Sequence, residues 1–427
     1  MSQEPLEVAI QTDFESLKKM QNPKRALPSD VYDRLKKLQR SRVEEILAHK
    51  KSNTTPTWST SADALALEKL AHGQSIDDLE AFIGKEGTFT YVKDDLTTNV
   101  PIHLIPRASS RSAQNGWGVC PLGQYKVNFE ETKLLKHSRN TLKMVDQCKE
   151  ESGLNSDPAQ KVLAEHALYQ ILKASGVPGF DTRLMKVTYK NQDGKQLSSS
   201  YAFMIEDAKD TAQRYGSTAV PIGTDPGSKL QSKVASDMGM LLINSTADHS
   251  HRADHNHEFI QRGGKVYDIP YDFDFNPLVE GYVGQYGESG VSSSSFENLP
   301  GDKEEKLNTA ALILSNKEKV YTALNKVPFE ENSKYKKNII AWLDKYFIAA
   351  QTYLKANDAL NRNSSVQMDQ APKLWFQMDC QEQQMFLSGV GEKVLSESKI
   401  NQDEIKGVSK PAGKLEKKSV KKEKPLR

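Results

Sequence analysis

The chain has 427 residues and a formal net charge of +2 at pH 7, and this near-neutral balance argues against nucleic-acid binding by the protein as a whole. Hydrophobic residues make up 37% and charged residues 27% of the sequence, which is typical of a soluble globular protein with polar extensions. No run of about 18 apolar residues is present, so the sequence predicts no transmembrane segment. The first residues lack the basic and apolar regions of a signal peptide, so we expect a cytoplasmic protein unless a signal has been removed.

Residues 1–84 are predicted to form an N-terminal extension with one strand followed by helices. Residues 6–13 alternate partly between apolar and polar types, which indicates a short strand. A Pro-Ser-Asp sequence precedes residues 31–50, where helical spacing begins, and residues 61–83 accommodate one or two more helices. The apolar content of this part is low for a core of its own, so we expect it to pack on the residues that follow.

Residues 85–207 are predicted to form a mostly antiparallel sheet that carries one helix. Alternation of apolar and polar residues marks the candidate strands, which lie at 88–92, 100–105, 125–129, 142–145, 184–189 and 200–205. Residues 159–175 have the spacing of an amphipathic helix, with Pro158 at its start and Gly176 after its end.

After residue 207 the pattern becomes helical. Residues 208–362 are predicted to hold a group of helices around a short hairpin, with helices at 229–243, 303–316, 317–327 and 332–357 and hairpin strands at 258–260 and 265–269. Residues 363–427 are predicted to hold one further helix and a basic disordered tail. This order of elements predicts an α+β protein with a two-lobed, protein-kinase-like fold, in which a nucleotide would lie in the cleft between the lobes.

Acidic and amide side chains concentrate after the helix predicted at 229–243 and at the end of the second hairpin strand. Those that suit a phosphoryl-transfer site are Asp248, Asn256, Asp272 and Asp274. Mg²⁺ prefers oxygen ligands, which Asn256, Asp272 and Asp274 would supply, while Asp248 would accept the proton of an acceptor hydroxyl. If the strand continued through Phe273, the two flanking aspartates would point to the same side.

A phosphoryl-transfer site also needs a lysine for the phosphates and a carboxylate that holds the lysine. Lys126, in the middle of a predicted strand, and Glu165, inside the following helix, have the right element types. Each residue alone also fits a simpler interpretation. Lys126 could be a solvent-facing strand lysine, and Glu165 could lie on a solvated helix face.

Two other interpretations of the acidic segment stay open. Short runs of Asp, Asn and Ser often form turns and caps, because their side chains bond the local backbone. Four histidines also lie close together, His249, His251, His255 and His257, and histidine is a common zinc ligand. The sequence has no HExxH motif or cysteine pairing beside them, but a zinc-type site remains an alternative.

The order of these motifs, between residues 87 and 278, resembles the CotH-type atypical kinases, whose founding members phosphorylate spore-coat proteins. The resembling pieces are Arg107-Ala-Ser-Ser-Arg111, Tyr125-Lys-Val-Asn-Phe129, the helix with Glu165, Tyr201-Ala-Phe-Met-Ile-Glu206, Asp248 with Asn256, and Ile269-Pro-Tyr-Asp-Phe-Asp274. The resemblance implies that Arg107, Lys126, Glu165 and Glu206 serve nucleotide binding, that Asp248 is catalytic, and that Asn256, Asp272 and Asp274 bind metal. The sequence departs from the family at Ala108, where the family has glycine, and at Ala247, an extra residue before Asp248.

A closer resemblance is to uncharacterised bacterial envelope proteins that carry Asn-Thr-Asp-Trp-Ser, His-Asn and Pro-Tyr-Asp-Phe-Asp motifs. The matching forms here are Asn244-Ser-Thr-Ala-Asp-His-Ser250, His255-Asn256 and Pro270-Tyr-Asp-Phe-Asp274. Those proteins tend to have cysteines at the positions of Cys120 and Cys148. The resemblance therefore implies a disulfide and a periplasmic or secreted location, whereas the residues alone slightly favour free thiols.

The sequence thus predicts a kinase-like phosphotransferase that uses ATP with Mg²⁺ or Mn²⁺ to phosphorylate a hydroxyl of a protein or a glycan. One alternative is a catalytically inactive kinase-like binding protein of the bacterial envelope. A second is a metal-dependent hydrolase that uses the His/Asp cluster.

Overall fold

The computed structural model describes residues 4–19, 31, 35, 40–52, 79, 82–93, 96–106, 125–129, 141–146, 153–220, 233–244, 257–262, 265–273, 276–280, 290–357 and 359. The chain divides into two compact units, Met1–Phe376 and Gln377–Arg427, and every described residue belongs to the first unit. The helix and basic tail predicted in 363–427 lie outside the described residues. None of the helices in the described part is long and apolar enough to cross a membrane.

Seven strands close into a barrel in the order β1-β2-β3-β4-β5-β7-β6. Their bounds are β1 Leu6–Thr12, β2 Lys85–Lys93, β3 Leu96–Pro106, β4 Tyr125–Asn128, β5 Thr141–Asp146, β6 Thr182–Lys190 and β7 Gln196–Ile205. Alternate side chains point into the barrel, where they form one hydrophobic core. The predicted strand positions are confirmed, and closure leaves this sheet without the unpaired edges of an open one.

Strand β1 closes the barrel, although the sequence pattern assigned it to an N-terminal extension. It pairs antiparallel with β2 on one side and parallel with β6 on the other, while Val8 and Ile10 are buried inside. The sheet is mostly antiparallel, as predicted, but it is a closed barrel that includes β1, which pairs parallel with β6. Alternation along a strand reports which side chains are buried, but not which strand lies alongside, because the partner is far away in sequence.

Ten helices with defined bounds and a second, three-stranded sheet complete the described part. The helices are α1 Phe14–Lys19, α2 Arg40–Ser52, α3 Asp157–Ser175, α4 Ala208–Arg214, α5 Lys233–Leu242, α6 Pro277–Glu280, α7 Ser293–Glu297, α8 Lys303–Ser315, α9 Lys317–Asn325 and α10 Lys334–Ala356. The second sheet has the order β10-β9-β8, with β8 Thr218–Ala219, β9 His257–Arg262 and β10 Lys265–Pro270. The predicted mixture of helices and strands is confirmed.

Helix α3 is the central element of the larger hydrophobic core. Ser156 caps its start by accepting a hydrogen bond from the Ala159 amide, and Gly176 ends it with a φ of 88°, a left-handed conformation that favours glycine. The helix predicted at 159–175 is confirmed, and 14 of its 19 residues are buried, so it is a core helix. It packs against β7 of the barrel and against α5, α6, α8, α9 and α10.

Polar contacts tie both ends of α3 to the helical part of the protein. Near its start, Asp157 Oδ1 lies 2.9 Å from Lys334 Nζ and accepts a 2.7 Å hydrogen bond from the Tyr335 hydroxyl. At its end, Asn316 Nδ2 donates to the Ser175 carbonyl at 3.1 Å. Helix α3 is thus held between the barrel and the helices.

Candidate functional site

The flanks of the two acidic segments meet at the end of α5. The Asn276 side chain, two residues beyond Asp274, donates from Nδ2 to the Ile243 carbonyl at 2.8 Å. Trp342 Nε1 donates to the carbonyls of Leu241 and Leu242 at 3.2 and 3.0 Å. These bonds satisfy carbonyls that a helix end leaves unpaired, and they fix the point from which the chain leaves toward Asp248.

The hairpin of β9 and β10 brings the other flanks together. His257, which follows Asn256, pairs with Pro270, two residues before Asp272. A buried polar network holds this end of the hairpin, since His257 Nδ1 lies 2.6 Å from Asp268 Oδ1, and Ser236 Oγ donates to Asp268 Oδ2 at 3.2 Å. The described neighbours of the predicted metal ligands, His257 after Asn256 and Pro270 before Asp272, are therefore at the same edge of the sheet.

Asp272 leaves the strand geometry at this edge. Strand β10 ends at Pro270, and Asp272 has a φ of 68°, in the left-handed region that aspartate tolerates better than most residues. The strand therefore does not continue through Phe273, which was the condition for Asp272 and Asp274 to point to one side, and Asp274 lies outside the described residues. Phe273, between them, is fully buried and its ring centroid lies 4.6 Å from that of Tyr169 on α3.

Glu165 lies on the buried surface of α3, one turn before Tyr169. It is 2% exposed, so the simpler interpretation of a solvated helix face is wrong. Burial raises the pKa of Tyr169 well above its ordinary value, and the negative charges of Glu165 and Asp272 add to this effect. Glu165, predicted to hold the lysine, and Asp272, predicted to bind metal, therefore both lie near the Tyr169 hydroxyl.

Two lysines stand opposite each other on the barrel beside this site. Lys126 on β4 pairs with Lys143 on β5, and directly opposed residues of antiparallel strands project to the same face. Val145, two residues along β5, shares that face and belongs with Phe203 to the core that surrounds α3. Both lysines are consequently on the face of the barrel that α3 covers.

Lys143 is a residue that the sequence interpretation missed. Its Nζ lies 4.1 Å from the centroid of the Tyr271 ring, directly before Asp272, and 3.9 Å from Glu258 Oε1, two residues after Asn256. In protein kinases the phosphate-binding lysine and its glutamate come from a strand and from helix αC. Strand β5 precedes α3 more closely in the chain than β4 does, and this signal would have favoured Lys143 over Lys126.

Glu206 follows β7 and is engaged in a structural network. Its carboxylate accepts hydrogen bonds from Arg214 Nη2 at 2.7 Å, Thr211 Oγ1 at 2.9 Å and the Asp181 amide at 3.0 Å. Arg214 also donates to the Gly179 carbonyl at 2.8 Å. The Glu206 carboxylate thus links the end of β7 to α4. Its predicted role in nucleotide binding stays a prediction.

The remaining predicted residues lie outside the described part of the chain. They are Arg107, Asp248, Asn256 and Asp274, together with His249, His251, His255, Cys120 and Cys148. No group of three or more His, Cys, Asp or Glu residues is placed to hold a metal ion within the described ranges, which include only Asp272 of the predicted ligands. The ligand set of one amide and two carboxylates is made of hard oxygen donors, which fits Mg²⁺ or Mn²⁺.

No protein-family model matches the sequence, and no curated protein matches it. Among solved structures, the chain is similar to the Helicobacter pylori proinflammatory kinase CtkA, with 11% identity and a TM-score of 0.33 over 58% of this chain and 93% of that one. It is also similar to a Shewanella oneidensis MR-1 structure of the toxin–antitoxin system HipA, HipB and its operator DNA, with 9% identity and a TM-score of 0.28 over 47% of this chain and 57% of that one. At TM-scores of 0.33 and 0.28, these two similarities assign no function to this chain.

Proposed function

We propose that this protein is a kinase-like phosphotransferase, which transfers a phosphoryl group from ATP, with Mg²⁺ or Mn²⁺, to a hydroxyl of a protein or glycan. The observation that carries the proposal is a chain of contacts. Lys143 lies over Tyr271, the neighbouring Asp272 is bonded through its amide to Tyr169, and Tyr169 lies one turn from Glu165. A cation, a metal-binding carboxylate and a helix glutamate are the fixed groups that phosphoryl transfer requires.

In this proposal, each residue either positions a reacting group or stabilises the negative charge of the phosphates. Lys143 binds the phosphates and Glu165 holds the ammonium in place, with Lys126 on the neighbouring strand and Arg107 in the 107–124 segment as further cations. Asp272, Asp274 and Asn256 would hold the metal, which supplies charge neutralisation at the phosphates when bound. Asp248 orients the acceptor hydroxyl and accepts its proton. The bond between Asn276 and the Ile243 carbonyl, which joins the flanks of the two acidic segments, supports this assignment.

The proposal is tested by thermal unfolding in ATP with Mg²⁺ or Mn²⁺. A ligand at a hundredfold its dissociation constant adds about 2.7 kcal/mol to the unfolding free energy. The variant Asp272→Ala should lose this stabilisation, whereas Asp193→Ala, at an exposed turn residue, should keep it. Transfer of labelled γ-phosphate to the protein itself or to mixed protein and glycan acceptors provides the activity measurement.

The outcomes separate the candidate functions. Absence of stabilisation with either metal would contradict the phosphotransferase proposal. Stabilisation without phosphate transfer or release would indicate the inactive binding protein. Stoichiometric zinc in the purified protein would indicate the hydrolase, although His257 Nδ1 is already engaged with Asp268.

A further inference from the structure

The hydroxyl of Tyr169 bridges the helix that carries Glu165 and the segment that carries Asp272. Its oxygen accepts a hydrogen bond from the Asp272 amide at 2.9 Å, and its ring packs on Phe273 with centroids 4.6 Å apart. Tyr169 is itself 1% exposed and its ring also contacts Phe203 of β7, at a centroid distance of 5.7 Å. The Tyr169 side chain therefore contacts two consecutive residues, Asp272 and Phe273, just after the end of β10.

The contacts with Tyr169 stabilise an unfavourable backbone conformation at Asp272. A φ of 68° is unfavourable for a residue with a side chain, so such a conformation persists only where surrounding contacts impose it. The bond from the Asp272 amide is one of these contacts, and the burial of Phe273 is another. The left-handed turn determines where the carboxylate points, because it rotates Asp272 away from the direction that a continued strand would give.

We propose that Tyr169 is a positioning residue, whose hydroxyl holds Asp272 in the left-handed conformation that directs its carboxylate to the metal. This inference rests on the proposed function, since it takes Asp272 as a metal ligand. It also links the two halves of the site, because movement of α3 would displace Glu165 and release the Asp272 amide together.

Helix α3 has the rigidity that a positioning role needs. It is anchored by Asp157 to Lys334 and Tyr335, and Lys161 Nζ lies 2.5 Å from Glu280 Oε2 on α6. Helix α6 begins just after the segment that contains Asp272 and Asp274. The tyrosine thus acts from an element that is fixed to α10 and to α6, the helix that follows the predicted metal-binding segment.

The test is the variant Tyr169→Phe, which removes the hydroxyl and keeps the ring on Phe273. The matched control is Tyr346→Phe, which removes the hydroxyl of another fully buried tyrosine, whose oxygen lies 3.5 Å from the Met238 carbonyl. Amide hydrogen exchange of the ligand-free protein reports on the Asp272 amide. Titration of Mg²⁺ at fixed ATP reports the metal concentration that gives half of the ATP-dependent thermal stabilisation.

We expect Tyr169→Phe to accelerate exchange at residues 271–273 and to raise the required Mg²⁺ concentration by roughly three- to tenfold, the range that loss of one net hydrogen bond allows. The maximal stabilisation at saturating Mg²⁺ should be retained, which separates positioning from general damage to the fold. The control variant should match the wild-type protein in both measurements.

An unchanged Mg²⁺ requirement in Tyr169→Phe overturns the inference, whether or not exchange becomes faster. An equal change in Tyr346→Phe overturns it as well, because the effect would then belong to any buried hydroxyl. Absence of Mg-ATP stabilisation in the wild-type protein is a different result, which overturns the proposed function and this inference with it.

Discussion

Asn276 donates a 2.8 Å hydrogen bond to the carbonyl of Ile243, 33 positions earlier in the chain. Its Oδ1 also accepts from the Leu278 amide at 2.9 Å, so one buried amide links the end of α5 to the start of α6. The flanks of the two segments that carry the predicted catalytic and metal-binding residues are therefore joined by this side chain.

Removing this link should destabilise the protein and weaken the site. We expect Asn276→Ala to lower the unfolding free energy by about 1–3 kcal/mol, because the buried Ile243 carbonyl loses its partner. Urea unfolding measures the change, and Asn308→Ala is the control, since Asn308 Nδ2 makes only an exposed 3.5 Å bond to Glu304. An unfolding midpoint equal to that of the control would contradict the prediction.

The two opposed lysines are distinguished by matched substitutions. We expect Lys143→Met to remove most of the ATP-dependent thermal stabilisation, because Lys143 lies beside Tyr271 and Glu258, which are close in sequence to the proposed metal ligands. Lys126→Met should have a smaller effect, and Lys195→Met, in an exposed turn, should have none. The reverse order of the first two variants would show that Lys126 binds the phosphates, as the sequence motif suggested.

Closure of the barrel by β1 predicts a large effect of a substitution near the N-terminus. Ile10 is fully buried between Phe89 of β2 and Tyr189 of β6. Ile10→Ala should cost about 2–5 kcal/mol of unfolding free energy. Glu7→Ala on the same strand should cost at most about 1 kcal/mol, because its 3.1 Å ion pair with Lys186 is exposed. Equal effects of the two variants in urea unfolding would argue against the closed barrel.

Acid sensitivity is predicted from His166 on α3. Burial lowers the pKa of His166 from 6.5 to about 3, with the charge of Arg183 acting in the same direction and Asp181 opposing it. The neutral ring, with Nδ1 2.9 Å from Thr182 Oγ1, is kept in the folded state while the unfolded chain takes up a proton. The contribution of His166 to the unfolding free energy is therefore fully present above pH 6.5 and is lost as the pH decreases toward 3.

Linkage gives a loss of roughly 2 kcal/mol between pH 7 and pH 5 for this one group. In His166→Gln the fall in unfolding free energy over the same pH interval should be smaller by about that amount, as measured by urea unfolding at both pH values. Parallel falls in the wild-type protein and the variant would contradict the assignment of the neutral, buried state.

The sequence by itself determined the types and positions of most elements, because helix and strand formation depend on near neighbours. The alternation in β4 to β7 and the Pro and Gly at the ends of α3 are such local signals. Local signals also marked the acidic residues at the end of β10 as a candidate site.

Only the tertiary structure decided which residues meet. Lys126 and Lys143 have the same local character, and the contact of Lys143 with Tyr271 depends on the barrel and the hairpin coming together. The closure by β1, the left-handed turn at Asp272 and its bond to Tyr169 likewise arise from contacts between residues far apart in the chain. Spacing along a strand or helix carries no record of such contacts, since they are set by how the elements pack.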